Sequence, residues 1–224
     1  MKKFRILELK EGVFEHNNIE GRKLREKLRQ ENTFLLNLMG SPGAGKTTLL
    51  IKTINILKSE MSIAVMEADI DSDLDAQAVS QTGVKVIQLH TGGMCYLDAD
   101  MTRQGIDGLE AKDSDLIILE NVGNLVCPAE FDTGANKNVM ILSVPEGDDK
   151  PLKYPLMFQV ADVLIISKTD TLSVFDFDMD ACIAHAKKLN PNIKIFTVSA
   201  KTGEGMDYWL DWLRNSVGQD SREA

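Results

Sequence analysis

A glycine-rich segment carrying one lysine and one threonine separates an apolar run from a helix-forming pattern. It reads Gly-Ser-Pro-Gly-Ala-Gly-Lys-Thr over residues 40–47 and matches G-x-x-x-x-G-K-[ST] at every fixed position. Backbone N–H groups of such a loop point at phosphate oxygens, and the helix start adds partial positive charge. We therefore predict a nucleotide site in which Lys46 contacts the phosphates and the Thr47 hydroxyl binds Mg²⁺. The other predicted nucleotide contacts in this segment are Gly43, Ala44, Gly45 and Thr48.

Two carboxylates at predicted strand ends complete the Mg²⁺ side of this site. Asp69 ends the strand that follows the loop's helix, and Glu120 ends a later apolar strand. Carboxylate oxygens are Mg²⁺ ligands, and in phosphate-loop proteins an acidic residue at the later strand orders Mg²⁺ or the attacking water. We predict catalytic roles for Lys46, Asp69 and Glu120. Which of Asp69, Asp71 and Asp75 lies nearest the ion is left open by the sequence, and both strand ends also fit ordinary solvated positions.

A third segment, Ser167-Lys168-Thr169-Asp170, resembles the guanine-reading Asn-Lys-x-Asp element of GTPases. Asp170 would accept hydrogen bonds from the guanine N1–H and 2-amino group, which adenine does not offer, and the Lys168 stem would pack on the base. Ser167 replaces the usual asparagine, which we expect to weaken a contact that braces the loop and to relax base selectivity. A later loop, Ser199-Ala200-Lys201, resembles the one whose backbone N–H meets the base oxygen. These segments favour GTP over ATP.

Cys95 and Cys127 each follow a predicted strand, at the sheet edge where we place the nucleotide. Two thiolates at one place suit Zn²⁺ or Ni²⁺, and a two-fold dimer would supply four. Spacing alone equally allows two unrelated buried cysteines. His90 is a spare ligand candidate, whereas Cys182 lies among apolar residues of a predicted helix and reads as core.

Apolar runs and helical patterns alternate from residue 34 onward, which predicts an α/β fold with a mostly parallel, doubly wound sheet of about seven strands flanked by helices. The predicted strands are 34–39, 63–67, 84–89, 116–120, 139–144, 163–167 and 193–198. The predicted helices in this region are 46–59, 74–82, 97–112, 151–160, 178–190 and 204–216. Ligands are expected at the carboxyl ends of the strands.

Three segments describe the expected domain organisation. Residues 34–217 form one phosphate-loop domain, and residues 218–224 form a flexible polar tail. Residues 1–33 form an N-terminal extension, with a short apolar stretch at 4–9 as a possible edge strand and a basic helix at 17–32. The basic residues of that helix form either a solvated face or a docking surface. They are Arg22, Lys23, Arg25, Lys27 and Arg29.

Composition limits the classes of function. The chain has 224 residues, 43% of them hydrophobic, enough for one well-buried core. A net charge of −9 repels phosphate backbones, which argues against a nucleic-acid partner. No apolar run reaches membrane-spanning length, and no signal-peptide core follows the N-terminal lysines. Three cysteines are too few for a disulfide framework. We expect a soluble cytoplasmic protein without a membrane partner.

Four segments, taken together, closely resemble the hydrogenase nickel-incorporation (hydrogenase maturation) GTPases, and the likeness runs from about residue 17 to 213. The segments are 40–48, 91–99, 120–132 and 146–158. The resemblance implies a SIMIBI-type phosphate-loop GTPase with slow intrinsic turnover, which dimerises with GTP and acts as a metallochaperone that helps insert nickel into a metalloenzyme such as [NiFe]-hydrogenase. It further implies other maturation factors and an apo-metalloenzyme client as partners. Cys95 and Cys127 would be Ni²⁺ or Zn²⁺ ligands at the dimer interface.

Tyr96 is the main departure from this family, which usually has histidine there. A phenol is a poor ligand near neutral pH because its pKa is about 10, so the metal site is thiolate-only, borrows His90 or is weakened. The histidine-rich segment of some members is not in this sequence, so the client can differ from a hydrogenase. Two alternatives stay open. One is a phosphate-loop small-molecule kinase or ATPase, and the other is a GTPase switch without a functional metal site.

Overall fold

The computed structural model describes residues 9–111 and 113–223. The apolar stretch at residues 4–9 falls outside this range apart from Leu9, with which the first helix begins. The strands are β1 (Phe34–Gly40), β2 (Ile63–Asp69), β3 (Lys85–His90), β4 (Leu116–Glu120), β5 (Lys137–Ser143), β6 (Val163–Ser167) and β7 (Lys194–Val198). The helices are α1 (Leu9–Gln30), α2 (Lys46–Leu57), α3 (Leu74–Ser80), α4 (Ala99–Leu109), α5 (Cys127–Glu130), α6 (Lys150–Lys153), α7 (Pro155–Val160), α8 (Met179–Leu189) and α9 (Met206–Glu223).

All seven strands pair in parallel in one sheet, in the order β3-β2-β4-β1-β5-β6-β7. The predicted α/β class and strand count are confirmed. Strands β2, β3 and β4 lie on one side of β1, and β5, β6 and β7 lie on the other. The loop after β1 therefore lies where the strand order reverses. Open α/β sheets bind ligands at that position.

Helices cover both faces of the sheet, which explains the continuous apolar runs. Every residue of β1, β4 and β6 is buried. Alternate strand residues face opposite sides, so Leu36 packs in the cluster with α2 and α9, while Leu35 packs in the cluster with α1 and α4. In the cluster with α2 and α9, Trp209 of α9 is buried and donates its indole N–H to the Thr53 hydroxyl of α2 at 3.0 Å.

The helix predicted over 17–32 begins eight residues earlier, at Leu9, and ends at Gln30. Three further helical features differ from the predictions. The helix predicted over 151–160 is broken at Tyr154, because Pro155 has no N–H to donate and disfavours helical geometry in the residue before it. The last helix continues to Glu223, through residues expected as a tail, since only Gly218 in that stretch disfavours helix. The four-residue α5 was not predicted, because one helical turn shows no periodicity.

The basic face of α1 is largely paired with acidic residues of this chain. Arg25 binds Asp132, Lys27 binds Asp107, and Lys23 binds Glu20. Leu24 and Leu28 are buried against the domain, so α1 packs as part of it. Within the described residues, no helix has both the length and the apolar character needed to cross a membrane.

Candidate functional site

The loop between β1 and α2 has the backbone shape of a phosphate cradle. Gly43 and Gly45 have φ values of 77° and 96°, a region that side chains disfavour, and Gly45 immediately precedes α2. Lys46 is buried, and its Nζ donates long hydrogen bonds of 3.4 Å to the carbonyls of Gly40 and Ser41. Its ammonium group is therefore held within the loop that would receive the phosphates.

A carboxylate that sequence reasoning missed supports this loop from the far side of β1. Glu146 lies in the single 3₁₀ turn after β5, contacts the Ser41 hydroxyl and accepts from the N–H and hydroxyl of Ser143, both at 2.7 Å. It belongs to the segment 146–158 that carried part of the family resemblance. Its contacts fix the second residue of the glycine-rich segment.

A pair of buried carboxyl groups lies beside the start of α2. Glu67 and Glu120 are opposite each other in the β2–β4 register and are 2% and 4% exposed. Glu120 accepts a hydrogen bond from the Thr47 hydroxyl at 2.9 Å and another from Glu67. One oxygen of each carboxyl, Oε1 of Glu67 and Oε2 of Glu120, is buried without a hydrogen-bond partner. Unsatisfied buried carboxylate oxygens of this kind suit a cation.

Burial dominates the electrostatics of this pair. It raises the pKa of Glu67 to about 10, and the neighbouring charges of Glu120 and Asp75 add to the shift while Lys46 opposes it. Burial also raises the pKa of Glu120, against the Lys46 charge and the Thr47 hydrogen bond. Glu67 is therefore protonated near neutral pH and donates to Glu120.

Asp69, the carboxylate predicted for Mg²⁺, has another set of contacts. Its Oδ1 accepts from the backbone N–H groups of Asp71 and Ser72, at 3.0 and 2.8 Å, and these bonds lower its pKa. It closes a turn after β2, and no hydrogen bond recorded for the described residues joins it to Thr47. Asp75 is the member of the aspartate run whose charge acts on the Glu67–Glu120 pair.

A small cavity lies beside the loop at the carboxyl ends of β6 and β7. Its volume is about 230 Å³. The predicted nucleotide residues among its walls are Gly45, Thr48, Lys168, Asp170, Ala200 and Lys201. A larger cavity of about 600 Å³ lies at the amino ends of β1 and β4, lined by none of the predicted site residues.

Two contacts tie the predicted base-reading segment to the glycine-rich loop. The Ser167 hydroxyl donates to the carbonyl of Ala44 at 2.7 Å, and Lys168 Nζ donates to the carbonyl of Gly43 at 2.6 Å. The bracing contact that we expected serine to weaken is thus present, because β6 ends next to the loop.

Asp170 is held in place by the second predicted loop. Its Oδ1 accepts from the Ser199 hydroxyl at 2.7 Å, and Lys201 Nζ lies 4.0 Å from its Oδ2. Ser199 is fully buried, whereas Lys201 is 84% exposed at the rim. The fixed carboxylate would leave its Oδ2 edge available to donors of a purine ring.

The structure brings Cys95 and Cys127 together. Cys95 lies in the loop after β3 and Cys127 is the first residue of α5, yet their thiols share a hydrogen bond that raises the pKa of Cys127. Both thiols are free and partly exposed. Within the described residues, no group of three or more histidine, cysteine, aspartate and glutamate side chains is arranged to hold a metal ion. The chain therefore offers two sulfur atoms side by side at this place.

Tyr96 has a packing role beside this thiol pair. Its ring stacks on Phe131, with centroids 3.7 Å apart and planes 2° from parallel, and Phe131 also packs against Phe14 of α1. Desolvation, followed by the nearby charges of Asp98 and the thiols, raises the Tyr96 pKa, so the phenol stays neutral. His90, the other candidate ligand, pairs in register with Asp69 and is exposed.

Helix α1 binds both segments that carry the cysteines. The Asn17 side chain is buried, accepts from the N–H of Ala99 at 2.9 Å and donates to the carbonyl of Asp132 at 3.0 Å. Arg25 adds two hydrogen bonds to the Asp132 carboxylate, both at 2.7 Å. Sequence reasoning missed this arrangement because each contact spans more than 80 residues.

Replacing Asn17 with alanine is expected to lower the free energy of unfolding by about 1–3 kcal/mol, because it leaves the buried N–H of Ala99 and the partly buried carbonyl of Asp132 without partners. Urea denaturation of the nucleotide-free protein measures the change. Asn18→Ala is the matched control, since Asn18 is the exposed neighbour on the same helix. Equal stability of the two variants would contradict the bridging role of Asn17.

Comparison with known proteins supports the fold and the family resemblance. The profile of the family "CobW/HypB/UreG, nucleotide-binding domain" matches residues 34–197. The hydrogenase maturation factor HypB of Azotobacter chroococcum mcd 1 is 47% identical over 214 residues, covering 96% of this chain and 70% of that protein. HypB of Escherichia coli (strain K12) is 45% identical over 213 residues, covering 95% of this chain and 73% of that protein.

A solved structure agrees closely with this architecture. HypB from Helicobacter pylori in complex with nickel has a TM-score of 0.86 at 38% identity, covering 92% of this chain and 97% of that one. The signal recognition particle receptor FtsY from Elizabethkingia anophelis, at 15% identity and a TM-score of 0.53, shares the fold alone. The chain therefore belongs to the CobW/HypB/UreG family of nucleotide-binding proteins, and within it to the HypB hydrogenase maturation factors.

Proposed function

We propose that this chain is a slow GTPase that dimerises with GTP and delivers nickel to the precursor of a metalloenzyme such as a [NiFe]-hydrogenase. One observation carries the proposal: a thiol pair lies next to a phosphate loop whose base pocket presents a fixed aspartate. The nickel complex of the Helicobacter pylori relative supports the choice of metal. Other maturation factors and the client precursor are the proposed partners, in the cytoplasm, with no role for nucleic acid or membranes.

The pocket at Asp170 supports guanine as the base. An ionised aspartate accepts two hydrogen bonds, which matches the two donors on the guanine edge. Adenine would leave those acceptors without partners, and a site built around buried polar groups rejects such an analogue. Ala200 and Lys201 border the same pocket, where a backbone N–H would meet the base oxygen.

The residues beside Thr47 fit Mg²⁺. Mg²⁺ is usually bound by one or two carboxylates together with substrate phosphates. Glu120 beside the Thr47 hydroxyl would be the first such carboxylate, and Glu67, which is protonated in the nucleotide-free protein, would have to lose its proton to become the second. When bound, Mg²⁺ neutralises charge on the β- and γ-phosphate oxygens. Lys46 supplies a second positive charge from the loop, and Glu120 positions the Thr47 hydroxyl. Asp69 remains a predicted participant through the turn that it closes.

The thiol pair is half of a four-sulfur site. A two-fold axis passing close to Cys95 and Cys127 would bring in the partner's equivalent pair without further residues. Because Tyr96 stays neutral and stacked on Phe131, sulfur is the expected donor set. Nickel in this proposal is cargo that the dimer holds and releases.

Bound metal per chain tests the proposal. After equilibration with Ni²⁺ or Zn²⁺ we expect about half a metal ion per chain by elemental analysis, rising with GTP, because one ion would serve two protomers. Cys95→Ser and Cys127→Ser should reduce the value to background, while Cys182→Ser, a change at a cysteine buried in the core, should leave it unchanged. Metal content independent of Cys95 and Cys127 would favour a GTPase switch without a metal site.

A further inference from the structure

Asn124 contacts the phosphate-loop segment and the thiol pair at once. Its backbone N–H donates to the carbonyl of Gly40 at 3.2 Å, in an isolated antiparallel bridge outside the main sheet. Its side-chain Nδ2 donates to Cys127 Sγ at 3.4 Å. Gly40 is the first residue of the glycine-rich segment, so one asparagine joins the two sites.

A second hydrogen bond fixes the orientation of the Asn124 amide. Its Oδ1 accepts from the N–H of Val126 at 2.8 Å. Because that partner is a donor, the oxygen must face it, and the amide nitrogen is left to face the sulfur. A donor aimed at a ligating atom orients it and supports its metal-binding form.

The residue before Asn124 packs directly against the loop. A Cβ placed on Gly123 would lie 2.9 Å from Pro42 Cγ and 3.1 Å from the Pro42 nitrogen, so a larger residue would clash there. Together with the hydrogen bond from Asn124 to Gly40, this contact joins the segment after β4 to the phosphate loop at two residues, Gly40 and Pro42. These two contacts give a direct route by which a backbone displacement at Gly40–Pro42 would reach Asn124.

We propose that Asn124 is a positioning residue for the Cys95–Cys127 metal site and couples that site to the nucleotide. The inference rests on the proposed metal function. A nucleotide that shifts the loop moves the amide that holds Cys127 Sγ, so the affinity for metal differs between nucleotide states. By thermodynamic linkage, metal must change the nucleotide affinity by the same factor.

Two variants separate the contacts of this residue. Asn124→Asp keeps the acceptor for the Val126 N–H and the backbone bond to Gly40 but has no donor for the sulfur. Asn124→Ala loses both side-chain contacts and keeps the backbone bond. Asn215→Ala is the matched control, because Asn215 is an exposed asparagine on α9.

The experiment measures Ni²⁺ affinity and the sulfur-to-nickel charge-transfer absorption of the full chain, with and without a non-hydrolysable GTP analogue. We expect both Asn124 variants to bind Ni²⁺ roughly tenfold more weakly, as for the loss of other residues that support metal ligands, and to shift the absorption band. The effect of the nucleotide on Ni²⁺ affinity should largely disappear in both. Nucleotide affinity without metal should match that of the wild type, because the Gly40 bond remains.

The wild-type spectrum tells two kinds of failure apart. Wild-type charge transfer that responds to nucleotide, with both variants indistinguishable from Asn215→Ala, would overturn the role of Asn124 and leave the proposed function standing. A wild-type chain without any thiolate-to-nickel band would overturn the proposed metal function and this inference with it.

Discussion

Replacing Glu67 with glutamine is expected to stabilise the nucleotide-free protein and to weaken its Mg²⁺-dependent nucleotide binding. Glutamine keeps a neutral donor facing Glu120 but removes a buried carboxyl whose ionisation is opposed by burial and by Glu120. The oxygen that it keeps is a neutral amide oxygen, which cannot become a carboxylate ligand for Mg²⁺ as Oε1 of Glu67 could. We expect nucleotide affinity measured with Mg²⁺ to fall roughly 10–100-fold, and affinity measured with EDTA to change little.

The same substitution should change how stability depends on pH. The folded-state pKa of Glu67 lies above its unfolded value of 4.5, so the folded state binds this proton more tightly. Its contribution is fully present below about pH 4.5 and is lost as pH rises toward about 10. The midpoint temperature of thermal unfolding should therefore fall more steeply between pH 5 and pH 9 for the nucleotide-free wild type than for Glu67→Gln. Near pH 8 we expect the variant to be more stable by ~2–4 kcal/mol.

Asp69→Asn is the control that decides between the two carboxylates of β2. Asp69 accepts two backbone hydrogen bonds in a turn, so its replacement should alter Mg²⁺-dependent affinity far less than Glu67→Gln. The opposite order, a large loss in Asp69→Asn and none in Glu67→Gln, would restore the prediction made from the sequence.

Asp170→Asn is expected to change base preference from guanine to xanthine. Asparagine presents one acceptor and one donor where aspartate presents two acceptors, and xanthine carries an oxygen in place of the guanine 2-amino group. A bidentate base contact is worth ~1–3 kcal/mol of discrimination, so reversing it should move the GTP/XTP affinity ratio by roughly 100-fold or more. Competition against a fluorescent guanine nucleotide measures both affinities.

Two further variants test whether this effect belongs to the base contact. Lys201→Ala changes an exposed rim residue and should alter either affinity only slightly. Asp170→Ala should lose GTP affinity without gaining XTP affinity. If GTP and ATP kept their wild-type affinity ratio in Asp170→Ala, the guanine assignment would be wrong.

The strands, the loop after β1 and the proximity of the two cysteines could be predicted from the sequence, because local patterns and the topology rules of parallel sheets determine them. The seven apolar runs predicted the seven strands, and the glycine-rich segment predicted the loop between β1 and α2. Cys95 and Cys127 were expected near each other because both follow strands of one parallel sheet, and their thiols do meet.

Tertiary contacts decided what the sequence could not show. Glu67 lies two residues before the strand end and reads as a core position until its pairing with Glu120 is known. The hydrogen bonds of Asn17 and Arg25 depend on partners far away along the chain. The one sequence signal for Glu67 was a second acidic residue in register with Glu120 on the neighbouring strand, which requires the strand order as well as the strands.

The segment from Glu120 to Cys127 also limits how far the predicted metal ligand Cys127 can lie from the carboxyl pair at the nucleotide site. Six residues lie between Glu120 and Cys127, so their Cα atoms are seven residue steps apart and can lie no more than about 25 Å from each other, however the loop moves. Glu120 is fixed by β4, which lies directly beside β1, and Cys127 opens α5. Inserting or deleting one residue between them would shift Cys127 relative to Cys95 and would also disturb the contacts of Gly123 and Asn124 with the phosphate loop. Redesign of the metal preference should therefore keep the length of this segment, and also Gly123 and Asn124, which contact the phosphate loop.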